Sequence, residues 1–538
     1  MTESTPAPEL GPDESARRPH TWTPWLTLLA CAAILFARRP SALLHPQFYC
    51  EDGMIFFTAA RARGFASIFE VSTGYHQLFS HLIACFGSLF DPRYAPFIYN
   101  LAALGAGLSV VAHIFSSRIR LQYKPLLALA VAGTPCLFNE VISNEVNTQW
   151  FLCLHLVLLA VADDAVTPVQ GCFDAAVLLL AGMTGPLAIA FLPLFGYRYA
   201  VRRTRASLLA AAGAAAVAAV QLALIVTCPW NRPELLNALP FTVSGQDWAG
   251  YFGNGIAGLL LLGTRSREFL SAGALLTVVT VLIIGAIVFD AVQRRNHSTL
   301  FFVFAAGAVM ASTAFSYKGY VNGLALGAGC RYFFPVLVLL NWALIQTLNS
   351  RRWMARSAGA LLVWGGAASA WTYYTPPDED RHWAQASQLL DSPGSVMLPV
   401  TPGNIYFMAI ENPDTSRARA AETPLFAAGV NIDRRWTEAD KGHVIQIALP
   451  SRQHATGLRL KYVLEAFGAG KLRTCIAWSD AGFASGEPRS VYADLTADGR
   501  PHLLTLLIDG DMDAFGLMFD GNPSRFVLLE AVRLEARD

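Results

Sequence analysis

Hydrophobic positions along this chain fall into two kinds of run. Up to about residue 375 they form long stretches without charge; beyond it they alternate with polar positions. The stretches Ala206–Thr227, Phe269–Phe289, Thr299–Tyr317, Phe333–Ser350 and Ser357–Tyr374 each approach or exceed the ~18 apolar residues of a membrane-spanning helix. The first apolar run, Trp22–Ala37, ends in Arg38-Arg39-Pro40 rather than at a small-residue cleavage site, so it reads as a retained anchor. In the last part of the chain, period-two runs occur at His443–Leu449, Gly457–Val463, Leu503–Ile508, Phe515–Phe519 and Phe526–Leu534. They are separated by turn signals such as Pro450-Ser451 and Asp498-Gly499. That pattern predicts β-structure folded as a sandwich, jelly-roll-like. The fold expected is therefore mainly α: a polytopic membrane helical bundle followed by a β-sandwich soluble domain. The boundaries expected are a disordered start over 1–20, a transmembrane domain over 21–375 with an outer loop at 40–75, a connecting segment over 376–404, and the sandwich over 405–538.

Charge sharpens this division. The chain of 538 residues carries 40 basic and 39 acidic side chains, only 15% charged against 54% hydrophobic. Residues 375–538 hold 16 basic and 22 acidic side chains, which leaves 24 and 17 for residues 1–374. A basic, lipid-like body thus precedes an acidic, water-like tail. Neither part carries a dense Lys/Arg stripe, so nucleic acid is disfavoured as a partner. The clusters Arg17-Arg18, Arg118/Arg120/Lys124, Arg202-Arg203/Arg205, Arg294-Arg295 and Arg351-Arg352/Arg356 form one set that the positive-inside rule puts in the cytoplasm. Placing them all inside, with a reversal at Met183-Thr184-Gly185-Pro186, predicts about eleven crossings with the N-terminus cytoplasmic and the C-terminal domain outside. Arg38-Arg39 run against the rule. Nine cysteines without C-x-x-C spacing read as small core hydrophobes. Of the basic residues, 35 are arginine, a bias that points to a GC-rich bacterial genome; the membrane expected is then a bacterial inner membrane. Trp436 and Trp478 are expected as exposed aromatics of the tail.

The outer loops hold the candidate chemistry. Phe48-Tyr49-Cys50-Glu51-Asp52-Gly53 puts two adjacent carboxylates just beyond the first helix, before the apolar Met54–Phe57. A carboxylate held there loses water, which raises its pKa and suits it to general-base work. The competing reading is an acidic turn or a helix cap by Asp52. Tyr75 and His76, with His81 beyond, are candidates to contact substrate, or else structural residues at a helix lip. Asn147, Gln149 and Trp150 combine amides with an aromatic face, which suit sugar hydroxyls and rings; helix capping and an interfacial Trp account for them equally. Lys318, Arg331 and Tyr332 bracket a third loop. An arginine at a lipid boundary is costly unless paired or snorkelling, and it can clamp a phosphate with two hydrogen bonds. No H-E-x-x-H, closed calcium loop or P-loop occurs, so no metal ligand is assigned and ATP is not required. An acidic pair is also suited to a divalent cation, and the sequence leaves that open.

These elements, in this order, resemble the GT-C-type polytopic membrane glycosyltransferases. The residues that carry the resemblance are Glu51-Asp52-Gly53, Gly74-Tyr75-His76-Gln77-Leu78, Asn147-Thr148-Gln149-Trp150, Thr184-Gly185-Pro186, Arg331-Tyr332-Phe333-Phe334-Pro335 and Pro399-Val400-Thr401-Pro402-Gly403. They are short motifs over about residues 20–405, like those of an uncharacterised bacterial subgroup, and their order carries most of the weight. The resemblance implies a sugar moved from a polyprenyl-phosphate donor to an envelope glycan, lipid or protein acceptor on the outer face, with inversion. It implies Asp52 as base, with Glu51 the competing candidate. Arg331 and Lys318 would steady the leaving phosphate. The alternative class is a transporter or flippase for a glycolipid or another anionic substrate, since broken helices also occur in carriers.

Overall fold

The computed structural model describes residues 22–71, 74–135, 140–228, 248–317, 329–371, 380–401, 406–412, 421–426, 432–435, 444–466, 470–479, 489–520 and 523–536. The helices used below are α1 (Thr23–Arg38), α2 (Thr58–Arg63), α3 (Leu78–Gly87), α4 (Ala95–Ile114), α5 (Lys124–Gly133), α6 (Gln149–Val161) and α7 (Pro168–Gly182). They continue as α8 (Leu187–Arg202), α9 (Arg205–Thr227), α10 (Gly273–Gln293), α11 (His297–Tyr317), α12 (Phe333–Thr347) and α13 (Arg352–Trp371). Their starts follow local chemistry. Proline opens α1, α4, α5 and α7, where its missing N–H costs nothing and its fixed φ suits the first turn. Thr204 and Ser207 form a capping box at α9, which satisfies two otherwise orphaned donors.

Helices α6 and α12 are apolar on every side and buried along almost their whole length, so they form the centre of the bundle. Helices α9 and α10 lie at its edge and expose Leu209, Val281 and Leu282 to the outside, each more than 60% accessible. Such side chains in contiguous rows are suited to lipid. Among the described residues, five helical segments are long and apolar enough to cross a membrane: Pro92–Ile114, Arg205–Thr227, Gly250–Gln293, His297–Ala314 and Cys330–Thr347. Other expected crossings fall on helices of 10–17 residues, including α1, α5 and α7, short of the ~20 that a full crossing takes. The chain does break between α7 and α8, at Met183–Pro186.

Among the described residues the C-terminal part is one mixed sheet of nine strands, where a β-sandwich was expected. Its strands are β1 (Gly394–Pro399), β2 (Phe407–Asn412), β3 (Ala421–Pro424), β4 (Ile432–Arg435), β5 (Val444–Ala466), β6 (Lys471–Ser479), β7 (Arg489–Thr496), β8 (Asp498–Phe519) and β9 (Pro523–Glu535). The long strands β5 and β8 explain the difference. They pair antiparallel along most of their length, with register shifts between Ala448 and Gln453 and between Ala455 and Gly457. Bulges of this kind bend a strand. The start of β8 pairs with β1 through Ser395–Met397, whereas its end pairs with β6. Both halves share one core, with Leu460, Tyr462, Ile476, Leu495, Phe515 and Phe526. Trp478 is buried in that core rather than exposed, because it alternates inward on β6; Trp436 lies outside the described residues.

The sheet draws its first strand, β1, from the stretch 376–404 that reads in the sequence as a connector. A third core joins it to the outer loop: Phe48, Tyr49, Phe56 and Phe57 pack with Trp383, Leu389, Leu398, Val400 and Met408. The Phe48 ring meets Tyr99 of α4 and Trp383 edge-on, at 5.2 and 4.8 Å between centroids.

Candidate functional site

The Glu51-Asp52-Gly53 segment is held from two sides. Tyr49 forms a parallel bridge with Thr401; Cys50 N–H donates to Thr401 O at 2.6 Å and Thr401 N–H to Phe48 O at 2.9 Å. The chain then turns sharply, with Cys50 at φ 26°, a conformation few residues with a side chain adopt. It continues as a π-helical turn, Asp52–Phe57, a form found often at functional sites. Gly53 is required there by close approach, since a Cβ would stand 2.8 Å from Val400 Cγ1 and 3.1 Å from Phe48 Cβ.

Asp52 is fully buried. Its Oδ1 accepts from Val146 N–H at 2.8 Å, and its Oδ2 from Glu145 N–H at 3.3 Å. It thus ties the outer loop to the start of the 3₁₀ turn Val146–Thr148 that leads into α6. Burial raises its pKa, as does the neighbouring Glu51, while the two amides and Arg39 oppose the rise. Glu145 is also fully buried, and its pKa is raised by burial and by Asp52, against the hydroxyls of Ser80 and Thr148. Two carboxyl groups therefore share one dry chamber, an arrangement in which both do not ionise readily together. Glu51 differs: it is half-exposed, and its carboxylate makes no hydrogen bond among the described residues.

The other expected residues divide into two groups. Asn147, Trp150, Arg331 and Tyr332 are brought together beside the acidic segment. Asn147 Nδ2 donates to Glu140 O at 2.8 Å and Trp150 Nε1–H to Asn147 Oδ1 at 3.2 Å. The Trp150 and Tyr332 rings meet edge-on at 4.9 Å, and the Arg331 guanidinium lies 5.3 Å from the Tyr332 ring centre. Arg331 Nη1 stands 3.7 Å from Glu140 Oε1. Burial raises the Glu140 pKa to about 7, although the Arg331 charge, its N–H and the Tyr49 hydroxyl all favour the carboxylate. Glu51 and Arg331 both act electrostatically on Glu140 and on Tyr406. The motif reading missed Glu140, Tyr49 and Tyr406. A carboxylate beside the Asn147 motif was the available signal for Glu140; Tyr49 and Tyr406 carried none.

The second group sits at the helix break. His76 Nε2–H donates to Ile68 O at 2.7 Å, and its Nδ1 lies 3.4 Å from Met183 O. Its backbone is held by Gln221, whose Oε1 accepts from His76 N–H and whose Nε2 donates to His76 O, both at 3.0 Å. Gln77 bridges Thr184, and Gly185 N–H donates to His76 O at 3.1 Å. Gln149 closes over Gly185 (φ +99°), where a Cβ would stand 2.6 Å from its Oε1. Tyr75 is half-buried nearby in sequence. The polar groups freed by the break are thus met by protein. Lys318 lies outside the described residues.

A second feature is an apolar groove of about 760 Å³ between α10 and α11, lined also by Trp248, Val336 and Leu340. Val336 lies five residues into α12 from Arg331, about 7–8 Å along a helix axis. Among the described residues, no three His, Cys, Asp or Glu side chains are grouped to hold a metal ion. Asp52 accepts two amide N–H groups and Glu140 faces Arg331.

No family model and no curated protein matches the chain. Among solved structures it is similar to the oligosaccharyltransferase AglB of Archaeoglobus fulgidus, in complex with an inhibitory peptide and a dolichol-phosphate, at 11% identity and a TM-score of 0.38. That match covers 69% of this chain and 58% of that one. The same enzyme with zinc and sulfate matches at 12% identity and a TM-score of 0.35, covering 68% and 55%. The arabinofuranosyltransferase AftD from Mycobacteria matches at 9% identity and a TM-score of 0.35, over 95% of this chain and 62% of that one. These neighbours are GT-C membrane glycosyltransferases. The chain spans a little over half the length of the oligosaccharyltransferase chains it matches.

Proposed function

We propose that this protein is a membrane-embedded glycosyltransferase that moves a sugar from a polyprenyl-phosphate donor to an acceptor hydroxyl on the outer face of a bacterial inner membrane. The observation that carries the reading is the convergence on Glu140 of the Arg331 guanidinium, 3.7 Å away, and of the half-exposed Glu51 carboxylate, both of which act on it electrostatically. One group suits removal of a proton and the other suits a phosphate. The transfer needs both, a few ångströms apart, at the lip of an apolar site. The groove between α10 and α11 supplies an apolar path for an isoprenoid chain that ends near Arg331. Crossings by the shorter helices complete the proposed topology of about eleven, with the cytoplasmic side set by the basic clusters.

In this reading Glu51 takes the proton of the acceptor hydroxyl. The acceptor oxygen then attacks the anomeric carbon from the face opposite the leaving group, with inversion. The bond from that carbon to the lipid-phosphate oxygen breaks, and its electron pair leaves on the phosphate. Arg331 stabilises the charge that grows there, and Lys318 is proposed to assist it. Asp52 is a positioning residue: it fixes the turn that presents Glu51. Trp150 and Tyr332 offer ring faces to the sugar, and Asn147 holds Trp150 in place. No step is routed through a metal ion.

The helix break at Thr184–Pro186 is packed by Gln221, His76 and Gln149, which weakens the transporter reading that it would otherwise favour. The test is mass spectrometry of envelope glycans in cells expressing wild type, Glu51→Gln or Arg331→Gln at matched protein levels. A glycan that is lost in both variants is the expected result. An unchanged envelope in both would sink the proposal.

A further inference from the structure

A second cleft lies between the outer loop and the sheet, with a volume of about 920 Å³. One wall runs from Met54 through α2 to Arg63, a second is the turn from Ser88 to Pro92, and a third is Ala409–Asn412 of β2. Strand β2 ends the sheet and pairs only with β1 among the described residues. Its other edge therefore adds backbone donors and acceptors.

The chemistry of the lining selects a ligand class. Arg61 and Arg63 face the cleft with Glu70 and Glu411, and each arginine already has a carboxylate partner. Arg61 Nη2 lies 2.6 Å from Asp391 Oδ1, Arg63 pairs with Glu70, and Glu411 accepts from the Ser395 hydroxyl. With Asp391, Glu70 and Glu411 set against two arginines, the lining carries no net positive charge to draw a phosphate or carboxylate. It offers paired donors beside acceptors, with Met54 and Phe90 as exposed apolar surface. Sugars need that combination: hydroxyls that donate and accept in alternation, and C–H faces that rest on rings. The volume lies near the top of the ~300–1,000 Å³ range of small-ligand sites, which favours several linked sugars over one.

We propose that this cleft binds a neutral oligosaccharide, the acceptor of the transfer. That it is an acceptor rests on the function proposed above; that the cleft binds a neutral glycan does not. Glu51 precedes Met54 of the cleft wall by three residues, about one helical turn, so the cleft and the acidic segment occupy consecutive turns of the same loop.

The experiment uses the full chain in lipid nanodiscs without donor. Saturation-transfer NMR and titration calorimetry measure binding of neutral tri- and tetrasaccharides of hexose and of pentose units. A phosphorylated trisaccharide and an extended peptide serve as comparison probes. Ala62 and Ala409 are exposed, on opposite walls, so Ala62→Trp and Ala409→Trp fill the cleft without disturbing a core; the two Ala→Ser variants are controls. The expected result is saturable binding of at least one neutral oligosaccharide. Each Trp variant weakens it at least tenfold, and the Ser variants leave it within twofold. The proposal is overturned if no neutral oligosaccharide binds, or if the Trp variants bind as wild type does. It is equally overturned if only the phosphorylated sugar or the peptide binds. A Glu51→Gln protein that still transfers sugar would sink the transferase mechanism and leave the cleft result standing.

Discussion

Replacing the two adjacent carboxylates separately produces opposite patterns of damage. Glu51 is half-exposed and makes no hydrogen bond among the described residues, so Glu51→Gln changes stability by no more than ~0.5 kcal/mol. As the base, it lowers the transfer rate by about 10²–10⁴-fold. Asp52 is fully buried and accepts two amide N–H groups, from Val146 and Glu145. Asp52→Ala orphans both, at ~1–3 kcal/mol each, and adds a cavity. Asp52→Asn keeps the acceptor for Val146 but turns an NH₂ toward Glu145 N–H, which orphans one donor and costs about 1–3 kcal/mol, partly offset by the loss of a buried acid.

Thermal unfolding in nanodiscs, followed by tryptophan fluorescence, ranks the variants. The order expected is wild type and Glu51→Gln together, then Asp52→Asn, then Asp52→Ala. Transfer from a synthetic polyprenyl-phosphate sugar to an envelope extract gives the second measurement. Stability against pH gives a third. Burial lifts the folded-state pKa of Asp52 and of Glu145 above the unfolded values. The native state therefore holds more protons, and stability falls as pH rises out of the ordinary carboxylate range. Asp52→Asn removes part of that slope, and Glu145 retains the rest. The reasoning fails if Glu51→Gln transfers within threefold of wild type while Asp52→Asn, equally stable, loses a hundredfold. Asp52 would then be the base.

Three further outcomes follow from the site and its supports. Glu140 and the donor phosphate compete for Arg331; since Glu140 titrates at about 7, the KM for donor rises as pH increases through that value, and Glu140→Gln flattens the dependence. A dependence unchanged in Glu140→Gln would contradict the pairing. Gly53→Ala drives a methyl against Val400 and Phe48, at about 1–3 kcal/mol of overpacking, read as a lower unfolding temperature together with reduced transfer. Gln221→Leu orphans His76 N–H and removes contacts to His76 O and Gly185 O, so it lowers the unfolding temperature more than the surface change Gln170→Leu does.

The sequence reading singled out these segments because each motif interrupts an apolar run, and such interruptions fall at helix starts. Glu51–Gly53, Asn147–Trp150 and Arg331–Tyr332 meet for that reason. It did not find the acid chamber, because Glu145 looks like one polar residue among several until its amide is seen on Asp52. The exception at Arg38-Arg39 is also resolved by contacts. Arg38 Nη1 donates to Ala132 O and Thr134 O at 3.0 and 2.7 Å, and Arg39 Nη1 to Ile142 O and Ser143 O at 3.2 and 3.3 Å. They satisfy carbonyls at the end of α5 and in the loop beyond, a demand stronger than the sidedness rule for arginine. His76 resolves the same way, as a residue spent on the carbonyls of its neighbours.

The boundary between body and tail, so clear in the charge pattern, does not separate two mechanical parts. Strand β1 lies between β2 and β8, and two residues after β1 ends, Thr401 takes up the hydrogen bonds of Phe48 and Cys50. The turn that presents Glu51 is therefore shaped by a segment some 350 positions later in the chain. Charge reports which solvent a segment meets, whereas strand pairing reports what holds it, and the two need not change at the same residue. A tail that shapes this loop has a role that needs no contact with substrate. Without β1 the turn that carries Glu51 would lose the Thr401 bonds and keep only the anchor of Asp52 to Val146 and Glu145.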